Sequence, residues 1–133
     1  MLVVDASILV TALADDGDDG EAARARLAGQ PLSAPELIDL EIASVLRREV
    51  HAGRMPKRRA ELALADLSDL SMQRVSHRWL LARCWELRDN MTPYEASYVA
   101  LAEALDVALL TADQRLARAS GSRCLFEVLT SES

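Results

Sequence analysis

The chain has 133 residues, half of them hydrophobic but only 4% aromatic, with two cysteines. That is one domain's worth of chain (1–133), with a core built from Ala, Leu, Val and Ile and large enough to fold without staples. No basic, secretory-type start precedes the apolar opening, no uncharged run approaches the ~20 residues of a membrane span, and a formal charge of −6 argues against sequence-independent binding to a polyanion.

In chain order, "LVVD" is a short β-branched run ending in an acid and predicts a buried strand. "ASILVTALA" predicts a helix with Asp5 or Ser7 at its cap, and "DDGDDGE" an acidic loop. "GEAARARLAG" predicts an amphipathic helix closed by Gly29, and "PLSAP" a very short strand between prolines. "ELIDLEIASVLRREVHAG" predicts a longer helix, its stripe formed by Ile38, Ile42, Val45, Leu46 and Val50. "MPKRRAELALADLSDL" predicts another, opened by Pro56 at the first helical position. "MQRVSH" reads as a strand and "RWLLARCWELRDN" as a helix whose Trp79 and Trp85 pack into the core. "TPYEASYVALAEALD" (helix), "VALLT" (strand), "ADQRLARASG" (short helix), "RCLFEV" (strand) and a loose tail, "TSES", complete the chain. Short apolar strands alternating with helices predict a parallel sheet covered on both faces.

Cys84 and Cys124 lack metal-site spacing and read as buried small hydrophobes, in keeping with a reducing cytoplasm. Charge is unevenly spread. "RREVHAGRMPKRR" carries six Arg and Lys against one Glu, and fourteen of the fifteen basic residues are Arg, which pairs bidentately with phosphate or carboxylate. That stretch reads either as a solvated helical surface or as a phosphate- or partner-contacting patch.

Asp5 closes the first strand, and Thr111 and Asp113 follow the strand "VALL". In open parallel α/β sheets, sites form beyond the carboxyl ends of strands. Glu95 lies in the first turn of the helix leading into that strand, and Glu41 borders the inward stripe of its own helix, whereas Asp39 points elsewhere. Each acid has a local explanation as well. Asp5 and Asp113 suit N-caps, Thr92-Pro93-Tyr94-Glu95 satisfies a capping box, and Glu41 complements a helix dipole. Taken together, four carboxylates at one sheet edge repel one another unless something positive sits among them, and an all-oxygen set suits a hard divalent cation, Mg²⁺ or Mn²⁺. Such a centre suits phosphodiester hydrolysis. Ser7 and Thr111 place hydroxyls beside the acids, either to hold a carboxylate or simply to cap local backbone. His51 and His77 fall on surface positions.

Three segments in order, "VVDASILV", "SAPELIDLEIASVLRR" and "RDNMTPYEASYVALAEALDVALLTADQRLARA", make the chain resemble PIN-domain proteins, specifically the VapC-type toxins of bacterial type II toxin–antitoxin pairs. The resemblance spans nearly the whole length. It implies a three-layer α/β/α PIN-like fold and a Mg²⁺- or Mn²⁺-dependent endoribonuclease with an acidic quartet, here Asp5, Glu41, Glu95 and Asp113. It also implies a homodimer, a VapB-type antitoxin that occludes the site, and a structured RNA target such as transfer or ribosomal RNA. Arg47, Arg48 and Arg115 are the candidate RNA or partner contacts. The third acid of such proteins is more often Asp, so Glu95 is a departure, expected to reach the metal through water while also capping its helix. The alternative is a catalytically weak PIN-like module that binds RNA or an antitoxin. A phosphatase or receiver-type reading fails on "DAS" after the first strand and on Lys57 as the single lysine.

Overall fold

A computed structural model describes residues 1–130; the last three residues of the "TSES" tail lie outside them. Five strands form one sheet: β1 (Leu2–Val4), β2 (Leu32–Pro35), β3 (Gln73–Val75), β4 (Leu109–Thr111) and β5 (Phe126–Val128). All are parallel, in the order β3-β2-β1-β4-β5. Parallel pairing demands crossovers, and seven helices supply and flank them: α1 (Ala6–Ala14), α2 (Asp18–Leu27), α3 (Ile38–His51), α4 (Lys57–Asp69), α5 (Leu81–Glu86), α6 (Pro93–Leu105) and α7 (Gln114–Ala117). The expected three-layer α/β/α arrangement is therefore present. Helix α1 packs with α2, α3 and α4, whereas α6 lies against β1, β2 and β4 and carries α5.

The central strands are apolar because both faces are covered. Val3, Val4, Leu109 and Leu110 are wholly buried. Pro35 ends β2, where its missing N–H costs no ladder bond, and the Glu36 amide resumes the pairing to the Val75 carbonyl at 2.9 Å. The chain builds outward from β1 to β3, then returns through α5 and α6 to lay β4 on the other side of β1. The order reverses between β1 and β4, so their carboxyl ends open a crevice there. Asp5 and Asp113 stand directly beyond those two ends.

Three expectations need correction. The acidic stretch is not all loop, since α2 begins at Asp18, with Asp18, Asp19 and Glu21 favourably placed in its first turn. Gly20 is required there, as a Cβ would stand 1.8 Å from the Asp15 carbonyl oxygen. Pro56 is the N-cap of α4 and not its first helical residue. Trp79 and Trp85 are 86% and 67% exposed and do not join the core. Their segment opens with a 3₁₀ turn at His77–Leu80 before α5 begins, and Leu80, Cys84, Leu87 and Met91 take the inward stripe, which turns both tryptophans out. Arg88 stacks on the Trp85 ring, 4.6 Å from its centroid. Cys84 is buried as expected and Cys124 is half-buried, each a free thiol.

Candidate metal centre

Asp5 is the anchor. Its extended backbone ends β1 and starts α1, and its side chain accepts from the Ile8 amide at 3.3 Å, so it is an N-cap as anticipated. It also accepts from the Ser7 hydroxyl at 2.5 Å and from the Thr111 hydroxyl of β4. These bonds knit the two strand ends together. The Ala112 amide donates to the Ser7 hydroxyl at 3.1 Å, and the Asp113 amide to the Thr111 hydroxyl at 3.0 Å. Asp5 is 7% exposed. Burial pushes its carboxyl above the ordinary range, against the pull of the Ser7 and Thr111 hydrogen bonds and those of the backbone.

Asp113 caps α7, accepting from the Arg115 and Leu116 amides at 2.9 and 3.2 Å. Glu41 reaches in from the first turn of α3, where it accepts from the phenol of Tyr98 on α6. Burial raises the Glu41 carboxyl, the Tyr98 bond opposes that rise, and the charges of Asp5 and Glu95 add to it. Asp39 points elsewhere, as expected, and pairs with Arg74 of β3 at 2.8 Å. Tyr98 is 3% exposed and its phenol is held firmly protonated by burial and by the Glu41 carboxylate.

Glu95 does what its capping box promised. The Thr92 amide donates to Glu95 Oε1 at 3.0 Å, and the Glu95 amide to the Thr92 hydroxyl at 3.1 Å. Its other oxygen, Oε2, accepts from Arg115. Burial works to raise the Glu95 carboxyl, but the Thr92 amide and the Arg115 guanidinium outweigh it and hold it below the ordinary range. Arg115 also reaches Asp113 Oδ2 at 3.3 Å.

The fold thus gathers Asp5, Ser7, Glu41, Glu95, Tyr98 and Asp113 around one pocket of about 130 Å³. Arg47 and Arg48 do not line it; they are exposed further along α3. Tyr98 is the residue whose role the sequence did not disclose, although its place three residues after Glu95 on one helix face was a usable signal. The donor set, all oxygen and mutually repelling at Glu41, fits a hard divalent cation. Among the described residues, however, no three His, Cys, Asp or Glu side chains stand preassembled to hold a metal ion. A groove of about 600 Å³, lined mainly by α1, α2 and α4, lies away from the acids.

The likeness to known proteins extends over most of the chain. The PIN domain family matches residues 2–122. VapC ribonuclease Mb0985 of Mycobacterium bovis is 43% identical over 129 residues, which cover 97% of this chain and 98% of that protein. Among solved structures, PAE2754 from Pyrobaculum aerophilum superposes with a TM-score of 0.70 at 23% identity, covering 96% of this chain and 83% of its own. VapBC2 from Rickettsia felis, solved bound to a DNA fragment from its promoter, has a TM-score of 0.66 at 12% identity, covering 96% and 97%. These last two show the fold; the family match and the 43% relative establish that this chain belongs to the PIN domain family, on its VapC branch.

Proposed function

We propose that this chain is a metal-dependent endoribonuclease toxin of the cytoplasm, one PIN-like domain over residues 1–133 that cuts structured RNA such as transfer or ribosomal RNA. One observation carries the reading: four carboxylates from separate parts of the chain converge on one pocket at the point where the strand order reverses. The 43% identical relative, itself named a ribonuclease, supports it. Asp5, Asp113 and Glu41 would hold Mg²⁺ or Mn²⁺, with Glu95 supporting it through water. A divalent cation in this pocket supplies the positive charge that acidifies an attacking water and draws charge off the phosphodiester oxygens.

The chain's own residues set the geometry. Thr111 and Ser7 fix both oxygens of Asp5. Tyr98 holds Glu41, and the α7 amides hold Asp113. Arg115 lies beside the pocket and Arg47 and Arg48 farther out on α3, where they meet RNA phosphates. A VapB-type antitoxin covers the α3–α4 region, Glu36 to Leu70, where Leu40, Leu62 and Leu64 are left exposed. A second copy of the chain covers the apolar surface around Leu81, Trp85 and Pro93, making the working unit a homodimer.

One observation favours a catalytically silent, RNA-binding module instead: both Glu95 oxygens are already engaged. Cleavage of total RNA in Mn²⁺ and in EDTA, by the native chain beside Asp5→Asn and Asp113→Asn, decides between the two. The nuclease reading expects cutting that needs metal and is lost in both variants. RNA retained by the native chain but never cut would transfer the case to the binding module.

A further inference from the structure

We propose that Arg115 is a built-in counter-cation of the acidic pocket, one that a divalent metal must displace from Glu95 and Asp113 and that is thereby freed to meet an RNA phosphate. The inference rests on the metal-site reading above and specifies what stands in the metal's way. A single guanidinium nitrogen, Arg115 Nη2, bridges Glu95 Oε2 on α6 and Asp113 Oδ2 at the head of α7. Glu95 Oε1 is committed to the Thr92 amide, and Asp113 Oδ1 to two amides of α7. The oxygens that remain for a cation on these two acids are therefore the ones Arg115 holds.

This occupancy explains why four acids share a pocket while no three of the described metal-ligating side chains stand preassembled. Half of the quartet is neutralised from within and half is not. Glu95 and Asp113 share Arg115, whereas Asp5 and Glu41 are held by hydroxyls and have no basic partner among the described residues.

The hold is also made to be released. The Arg115 side chain is 68% exposed, so charge secures it and packing does not. A guanidinium does not deprotonate in proteins, so it leaves by exchange with another cation and not by losing a proton. Among the described residues, Arg115 is the arginine that pairs with pocket acids, whereas Arg83 pairs with Glu103 and Arg26 with Glu127.

Calorimetric titration of the full chain with Mn²⁺, at one ionic strength, tests this on the native protein, Arg115→Gln and Arg115→Lys. Removing the competitor tightens Mn²⁺ binding about fivefold in Arg115→Gln, the worth of a released exposed ion pair. Arg115→Lys, which keeps the charge, stays near the native value. Binding of a non-cleavable RNA analogue weakens in Arg115→Gln with Mn²⁺ present and is unchanged in EDTA, where Glu95 and Asp113 still hold Arg115. Mn²⁺ affinity unchanged or weaker in Arg115→Gln overturns the proposal. If that variant also melts lower without metal, Arg115 is simply a tie between α6 and α7. A native chain that binds no Mn²⁺ removes both this inference and the metal-site reading; a native chain that binds it, with Arg115→Gln indistinguishable, removes this inference alone.

Discussion

Glu95 carries two duties that pull on different oxygens. One oxygen closes the capping box with Thr92 and the other meets Arg115. The capping box was legible in four consecutive letters because it is a local interaction. The Arg115 contact was not, since twenty residues and a whole helix separate the partners. The same distinction applies to Tyr98. Its phenol reaches across 57 positions of sequence to Glu41, and nothing in either local pattern announces the pair. Groups that orient a metal ligand typically cost about 10- to 100-fold in metal affinity or activity when lost. Tyr98→Phe is therefore expected to raise the Mn²⁺ concentration needed for half-maximal cleavage by about tenfold, with little change in the cleavage rate at saturating metal. A loss of rate with unchanged metal dependence would place Tyr98 in the chemistry itself.

At the level of elements, the helix α6 is specified at its start by a capping box whose Thr92 half does not line the acidic pocket. Thr92→Ala removes the N-cap hydroxyl and should cost about 1 kcal/mol of stability by denaturant unfolding while leaving cleavage intact. An equal loss of both would mean that the cap sets the position of Glu95. Gly20→Ala is expected to destabilise more, because the new Cβ has no room against the Asp15 carbonyl at 1.8 Å and the start of α2 must shift. Most elements were legible from apolar spacing and from the glycine and proline stops. The tryptophans were misjudged because aromatic residues in an apolar helical run are usually core. Here a 3₁₀ turn changes the phase of the segment, and Leu80, Cys84, Leu87 and Met91 fill the inward positions first.

Across the whole molecule, topology turns scattered acids into a site. Asp5 and Asp113 were legible as strand-end residues, but that β1 and β4 lie side by side is a property of the strand order and not of either segment. The resulting crowding has a pH signature. Asp5 and Glu41 have raised carboxyls, the first by burial, the second by burial and by the charges of Asp5 and Glu95. The folded chain keeps these protons where the unfolded chain has released them. Their contribution to stability is thus present below the ordinary carboxylate value and lost as pH rises through the raised one. Glu95, held low, acts in a separate window below that ordinary value, where stability falls as pH falls. Metal-free protein should therefore melt at lower temperature as pH rises above the ordinary carboxylate range, and Glu41→Gln should flatten that slope. A slope unchanged by the substitution would mean that neither burial nor the neighbouring acids raise the Glu41 carboxyl.

The claim on which the account turns is that the four acids act together as one cation site. Melting temperatures of the native chain and of Asp5→Asn, with millimolar Mn²⁺ and with EDTA, test it most directly. A ligand at about 100 times its dissociation constant stabilises the native state by about 2.7 kcal/mol, a rise of several degrees for a chain of this size. That rise is expected in the native chain and its loss in Asp5→Asn. Melting temperatures that ignore Mn²⁺ in the native chain, or that rise equally in Asp5→Asn, would contradict it.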